Sequence, residues 1–304
     1  MSAVGCVQVA RPAIVRRACI DIGSNTTRLL VADFDGDRLA PVHQERAFTH
    51  MRRAVTSDAQ IGAAKIAEVA LVVSAQLQTA RELGAEDIRG VATAAIRRAA
   101  NRDALVAAVR GSCGLEVAVL SPEEEARLAF SGAARTLGHV PSGPVAVVDV
   151  GGGSCELVVG EVPDGVTWCA SLELGSAELA DECLRSDPPT VEELGRARAH
   201  VSEALDGVQP PHADSALAVG GNATSLRRIA GSILDASAFA RTLMLLGAER
   251  AADVARRFAL DMDRVRLLPA GLLILQGASE RFGAPLQIAQ GGLREGLLME
   301  PSNG

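Results

Sequence analysis

A polar, glycine-rich turn between two short apolar runs constrains the fold of this chain more than any other feature. The runs, 145–150 and 155–160, are rich in valine, which is typical of strands buried on both faces of a sheet. Glycine has no Cβ, so its backbone can approach a ligand closely, and consecutive N–H groups in such a turn bind anions. An isolated glycine triplet is more often an ordinary hairpin turn. The residues of this turn are Gly151, Gly152, Gly153 and Ser154.

A second, related turn lies near the start of the chain. Asp21 ends an apolar run and is followed, after Gly23, by short polar side chains. Each turn therefore begins with Asp at the end of a strand and passes through Gly to a hydroxyl residue. If the two turns face each other, they can hold one phosphate from two sides. The phosphate-binding residues predicted in the first turn are Ser24, Asn25 and Thr26.

Carboxylates accompany both turns. Asp149 and Glu156 flank the glycine triplet, where they would repel a bare phosphate but would suit a hydrated Mg²⁺ ion. Asp21 has the same place in the first turn that Asp149 has in the second. We therefore predict a Mg²⁺ cofactor on the side of Asp21, Asp149 and Glu156.

The order of predicted elements repeats along the chain. The first half reads β-β-β-α-β-α-β-α, and a second series of strands and helices begins after a linker at 138–144. A repeat of this kind predicts a duplicated α/β fold with a ligand cleft between the halves. We predict a loose tail at 1–16, a first domain at 17–137 and a second domain at 138–304, whose last helix can pack back on the first domain.

Two segments give weaker predictions. Residues 48–61 show no clear period, so no element is assigned there. The segment Gly220-Gly221-Asn222 has the composition of a turn, and a helix is predicted after it at 224–233.

Composition narrows the functional classes. The chain has 304 residues, a formal net charge of −7, one Trp and no Tyr. Nucleic acid is not an expected partner, because duplex-binding proteins are usually basic and single-strand binders stack bases on aromatic rings. No segment is apolar enough for a membrane span. The six cysteines form no CxxC pair, which favours a reducing cytoplasm.

A run of three glutamates begins the helix that is predicted after Ser121. Ser121 is a natural N-cap, Pro122 suits the first helical position, and Glu124 completes a capping box. The helix dipole favours Glu123 in the same turn. Glu125 lies deepest in the helix, so capping explains it least of the three.

Arg97 is the predicted phosphate contact in the first half. It lies in a cluster with Arg98 and Arg102, and a guanidinium can donate two parallel hydrogen bonds to a phosphate. An arginine beside two others is more often solvated at a surface. Similar arginine pairs at 52–53 and 227–228 could contact a long polyanion.

Five segments resemble the exopolyphosphatase/guanosine pentaphosphate phosphatase family of the actin/Hsp70/sugar-kinase superfamily. They are DIGSNTTRLL (21–30), ATAAIRRAAN (92–101), LSPEEEARL (120–128), VDVGGGSCELVV (148–159) and GLREGL (292–297). The resemblance implies two duplicated actin-like (ribonuclease H-like) domains, each a mixed β-sheet flanked by helices, with an interdomain cleft. It implies that Glu125 is the catalytic base and that the protein is a homodimer.

The activity that the resemblance implies is Mg²⁺-dependent hydrolysis of the terminal phosphoanhydride of inorganic polyphosphate, with guanosine pentaphosphate as the alternative substrate. An ATP-dependent small-molecule kinase and a non-catalytic actin-like protein are the other classes. The chain departs from the family pattern at 51–55 (MRRAV), where an Arg-Leu-Gly-Glu-Gly-type segment is usual. It also reads Arg264-Val265-Arg266 where Arg-Ala-Asp is usual.

Overall fold

The fold is taken from a computed structural model that describes residues 14–55, 58–139 and 141–301. Most of the predicted tail at 1–16 lies outside the described residues, and the first strand begins at Val15. Within the described ranges, no helix combines the length and the apolar character that a membrane span requires.

The first half contains a five-stranded sheet with the strand order β3-β2-β1-β4-β5. Strand β1 is antiparallel to β2 and parallel to β4. The strands are β1 (Val15–Ile22), β2 (Thr26–Phe34), β3 (Leu39–Phe48), β4 (Asp87–Ala92) and β5 (Val117–Val119). The helices are a 3₁₀ turn (Met51–Ala54), α1 (Ala63–Glu82), α2 (Ala94–Arg98), α3 (Arg102–Cys113) and α4 (Pro122–Arg135).

The second half contains a six-stranded sheet with the order β10-β11-β9-β6-β7-β8. Its strands are β6 (Val145–Val150), β7 (Cys155–Glu161), β8 (Gly165–Leu172), β9 (Ser215–Val219), β10 (Ile233–Leu234) and β11 (Leu286–Ile288). Its helices are α5 (Ser176–Cys183), α6 (Val191–Ala204), α7 (Gly220–Ala230), α8 (Ala236–Ala248), α9 (Ala251–Phe258), α10 (Met262–Val265), α11 (Leu268–Phe282) and α12 (Leu293–Met299).

The two sheets repeat one topology. In each, three antiparallel strands in chain order are followed, on the other side of the first strand, by two strands that run parallel to it. The second sheet has in addition the short edge strand β10, which is antiparallel to β11. Strands β1 and β6 are therefore equivalent, and each ends at its Asp-Gly turn. Residues 145–148 of β6 are fully buried, because β6 packs against helices on both faces, as its valine-rich sequence predicts.

The structure corrects the predictions for the two ambiguous segments. Helix α7 begins at Gly220, four residues before the predicted start, and ends at Ala230. The buried Asn222 side chain donates a hydrogen bond of 2.8 Å to the Val150 carbonyl, so a tertiary contact makes this turn-like sequence helical. The segment 48–61 forms the end of β3 and the 3₁₀ turn, and α2 is an element that the sequence patterns did not predict.

Helices α4 and α12 cross between the two sheets. Helix α4 packs on strands of the second sheet, whereas α12, from the end of the chain, packs on α4 and on β1–β3 of the first sheet. The backbones meet at glycines, since a Cβ on Gly132 would overlap the Gly292 carbonyl and one on Gly296 would overlap the Leu128 carbonyl. The interface is thus built on close backbone approach.

Replacement of Gly132 by alanine should therefore destabilise the protein. The new methyl group would meet backbone atoms that cannot move independently, so we expect a loss of about 1–3 kcal/mol in the free energy of unfolding, measured by urea denaturation. Gly111→Ala in α3 is the matched control, because nothing lies within 4 Å of its added Cβ. That control should be neutral or slightly stabilising. Equal stability of both variants would contradict the close helix crossing.

Candidate active site

A cleft between the halves contains both glycine turns. It has a volume of about 130 Å³ and lies at the ends of β1 and β6. Most of the residues predicted for the site line it: Asp21, Ser24, Asn25, Thr26, Glu125, Asp149, Gly151, Gly152, Ser154 and Glu156. Of the predicted set, Gly153 and Arg97 lie beside the cleft and do not line it. The structure therefore brings together turns that are about 130 residues apart in sequence.

The two turns face each other at close range. A Cβ on Gly152 would lie 3.3 Å from the Asn25 Cβ, and one on Gly153 would lie 2.9 Å from the Ser24 Oγ. Glycine at 153 is therefore favoured by proximity to the first turn, because a side chain there would displace Ser24 or the Arg98 guanidinium, which would lie 2.8 Å from the added Cβ.

Each turn is oriented by backbone hydrogen bonds from the segment that follows the three antiparallel strands of its half. The carbonyls of Gly151 and Gly152 accept hydrogen bonds from N–H groups at the start of α5, with lengths of 2.9–3.2 Å. In the first turn the Ser24 and Asn25 carbonyls accept from backbone N–H groups of residues 49, 50 and 52 at 2.9–3.1 Å. In a trans peptide the next N–H points opposite to the carbonyl. The following N–H groups therefore point away from these helices.

Three carboxylates lie beside the turns. Asp149 and Glu156 are directly opposite each other on β6 and β7, so their side chains share one face of the sheet. Burial raises the pKa of Asp149 to about 6, and burial together with the charge of Asp149 raises the pKa of Glu156 to about 7. Ser171 donates a hydrogen bond of 3.1 Å to Glu156. Burial also raises the pKa of Asp21.

These carboxylates have the chemistry of a site for a hydrated hard cation. The buried Oδ1 of Asp21 has no hydrogen-bond partner in the described part of the chain. After burial, the charge of Asp21 contributes to the raised pKa of Asp149, and the charge of Asp149 contributes to the raised pKa of Glu156. Within the described residues, no group of three or more acidic, His or Cys side chains is close enough to bind one metal together. Such a site would provide one or two carboxylates and leave the remaining positions to water.

Glu125 enters the cleft from the first turn of α4. The capping box is present as predicted, since Glu124 N–H donates to the Ser121 Oγ at 3.2 Å and Ser121 N–H donates to the Glu124 carboxylate at 2.7 Å. Glu125 is 5% exposed, and burial, reinforced by the charge of Glu156, raises its pKa to about 8. A buried carboxyl group with a pKa near neutrality is suited to proton transfer.

Arg97 contacts Glu125 directly. Its Nη1 donates to the Glu125 Oε1 and also to the Leu120 carbonyl at 2.8 Å. Arg97 therefore holds the glutamate side chain in this arrangement, and its role as a phosphate contact stays a prediction.

Sequence reasoning missed three arginines that line the cleft: Arg28, Arg264 and Arg294. Burial is the main cause that lowers the pKa of Arg28 to about 10, and the charge of Arg294 adds to it. Burial is also the main cause that lowers the pKa of Arg264 to about 9, and the charge of Arg28 adds to it. The Arg264 Nε has no hydrogen-bond partner among the described residues. The available signal was an arginine inside an apolar strand at position 28, because arginine is rarely buried unless paired.

The other arginine clusters make ion pairs or surface contacts. Arg52 pairs with Asp181 of α5, and Arg98 lies 4.0 Å from Glu178 of the same helix. Arg98 also donates to the Gly153 carbonyl at 3.0 Å, so these two side chains bridge the halves beside the cleft. Arg228 lies elsewhere and donates to the carbonyl of residue 259. The side chain of residue 53 lies outside the described part.

The two halves share one topology, and their glycine turns face each other across a cleft of buried acids and arginines. These features define a protein of the actin-like class. The family model for the Ppx/GppA phosphatase family matches residues 30–302. The chain belongs to this family, which confirms the resemblance predicted from the five motifs.

Known relatives support the same assignment. Exopolyphosphatase 2 of Mycobacterium tuberculosis is 38% identical over 205 residues, which cover 64% of this chain and 63% of that protein. The match therefore spans less than two thirds of that relative. Guanosine-5'-triphosphate,3'-diphosphate pyrophosphatase of Photobacterium profundum is 24% identical over 93% of this chain and 58% of its own length.

A solved structure confirms the predicted fold class. The crystal structure of the Aquifex aeolicus member of the Ppx/GppA family has a TM-score of 0.80 and 30% identity, and it covers 94% of this chain and 97% of that chain. The duplicated actin-like fold with two mixed sheets flanked by helices is therefore correct. The predicted domain boundaries at 137 and 138 stay a prediction, and the packing of α4 on the second sheet shows that the halves exchange elements.

The raised carboxyl pKa values predict how stability varies with pH. Glu125, Asp149 and Glu156 have folded pKa values of about 8, 6 and 7, above the unfolded value of about 4. Between these limits the folded protein binds more protons than the unfolded chain, so the free energy of unfolding should fall as pH rises from about 5 to about 8.

This dependence is measured by thermal unfolding in the presence of a chelator. Glu125→Gln removes one of the three groups and should flatten the decline, whereas Glu124→Gln should leave its slope unchanged. If the free energy of unfolding rose with pH over this range, the charges of the carboxylates would be compensated in the folded protein, and their pKa values would not be raised.

Proposed function

We propose that the protein is a Mg²⁺-dependent phosphoanhydride hydrolase that releases terminal orthophosphate from inorganic polyphosphate. The observation that carries the proposal is the placement of Glu125, a buried carboxyl group with a raised pKa, in the same cleft as the two facing phosphate turns. Membership of the Ppx/GppA family and similarity to an exopolyphosphatase support it.

We assign different roles to the residues of the cleft. The N–H groups of the two turns bind the terminal phosphoryl group, and buried arginines such as Arg28 and Arg264 neutralise the oxygens of the neighbouring phosphates. Phosphoryl transfer requires mainly positioning and charge neutralisation from the protein. Glu125 accepts a proton from the attacking water, and Arg97 fixes the position of its carboxylate.

One or two of the three predicted carboxylates, Asp149, Glu156 and Asp21, would hold the Mg²⁺ ion, with water in its other positions. When bound, the ion would neutralise charge on the phosphate oxygens, which is the usual contribution of Mg²⁺ to phosphoryl transfer. Its charge would also favour the ionised forms of all three carboxylates, whose pKa values are otherwise raised by burial.

Guanosine pentaphosphate is the second candidate substrate. Its terminal 5′-phosphate has the same chemistry, and the similarity to the Photobacterium profundum protein favours it. We also propose a cytoplasmic location, consistent with the unpaired state of Cys19, Cys113, Cys155, Cys169 and Cys183. A homodimer is an expectation from the resemblance alone.

Phosphate release from polyphosphates of several lengths and from guanosine pentaphosphate tests the proposed activity. We expect release from polyphosphate with Mg²⁺ and little or none after treatment with EDTA, with recovery when Mg²⁺ is restored. Release that is unaffected by EDTA would overturn the metal assignment. Transfer of phosphate from ATP to an alcohol, with no release from polyphosphate, would support a kinase instead.

Glu125→Gln should lower kcat by about 10²–10⁴-fold, because the amide cannot accept the proton of the attacking water. Glu124→Gln is the matched control, since the Gln side-chain oxygen can still accept the Ser121 N–H of the capping box, so turnover should stay within about twofold of wild type. Circular dichroism checks that both variants fold. Normal turnover by the Glu125 variant would show that the base is another residue.

A further inference from the structure

A small side cavity leaves the cleft beside the first turn. It shares Ser24 and Asn25 with the cleft, and it continues into a larger outer cavity of about 350 Å³ beside α5 and α9. Leu267 lines all three spaces, so they form neighbouring compartments along one wall. A polymer held at its end in the cleft needs a route outward, and this row of adjoining compartments is the candidate for it.

Arg266 lines the side cavity and the outer cavity. Its side chain is exposed and makes no hydrogen bond or ion pair with the described residues. The C-terminal end of α10 thus presents two guanidiniums to successive spaces, Arg264 to the cleft and Arg266, the residue after the helix, to the side cavity. Arg185, also exposed, lines the outer cavity beyond.

Most acidic side chains along this route already have partners. Asp181 pairs with Arg52, and in the outer cavity Glu249 accepts a hydrogen bond of 2.8 Å from Arg257. Asp187 accepts from the N–H of residue 251 at 2.7 Å. Asp263 lines the side cavity and opposes the charge of Arg266.

We propose that Arg266, followed by Arg185, binds phosphates of a polyphosphate chain beyond the terminal groups, so that the polymer leaves the active site along the side cavity. The proposal rests on the proposed function and makes Arg266 a determinant of preference for long chains. Position 266 is also where the family pattern has an aspartate, so the subsite would be a feature of this chain.

The test compares Arg266→Asp with Arg81→Asp, which makes the same change of charge at an exposed site at the end of α1. For long polyphosphate, Arg266→Asp should raise KM by about tenfold with kcat unchanged, because a charge-assisted contact is lost. For tripolyphosphate the change should stay within about twofold. Arg81→Asp should affect neither substrate.

Asp263→Asn supplies the opposite change. It removes the opposing charge and should lower KM for long chains while leaving tripolyphosphate unaffected. Equal effects of Arg266→Asp on long and short substrates, or none on long ones, would overturn the subsite.

Equilibrium binding of long polyphosphate separates this proposal from the proposed activity, because it needs no turnover. In the Glu125→Gln background, Arg266→Asp should weaken binding by about tenfold. Binding that is unchanged would overturn the subsite even if the wild-type protein hydrolyses polyphosphate. Weakened binding without hydrolysis by the wild type would support the subsite and overturn the proposed activity.

Discussion

The burial of like charges in one cleft is the constraint on which the rest of the structure depends. Burial and the charge of Glu156 raise the pKa of Glu125, burial and the charge of Asp149 raise that of Glu156, and burial and the charge of Arg28 lower that of Arg264. Buried charges of this kind are costly unless a partner compensates them. A phosphate between the turns and a cation beside the carboxylates would supply that compensation, so the cleft is organised to bind an anion and a cation together.

The duplicated topology explains how the chain builds such a cleft. Each half directs the end of its first strand, with Asp21 or Asp149, toward the junction between the sheets. The crossing of α4 and α12 at Gly132 brings the halves close, and it places the first turn of α4 over the carboxylates. Helix α4 follows the strands of the first half, and Glu125 on this helix therefore reaches the carboxylates of the second half.

Sequence patterns predicted the parts of this arrangement that depend on local spacing. The strands around Gly152, the capping box before Glu125 and the repeated Asp-Gly turns all follow from short-range rules. Arg264 could not be placed, because its approach to the cleft depends on packing between distant elements. The start of α7 was missed for the same reason, since the hydrogen bond from Asn222 to Val150 joins segments 72 residues apart.

We infer that the cleft directs a water molecule to the terminal phosphorus of the substrate. Single-turnover hydrolysis of polyphosphate in ¹⁸O-labelled water tests it most directly, with mass spectrometry of both products. We expect one ¹⁸O atom in each released orthophosphate and none in the shortened chain. Label in the new chain end, or orthophosphate without label, would contradict it.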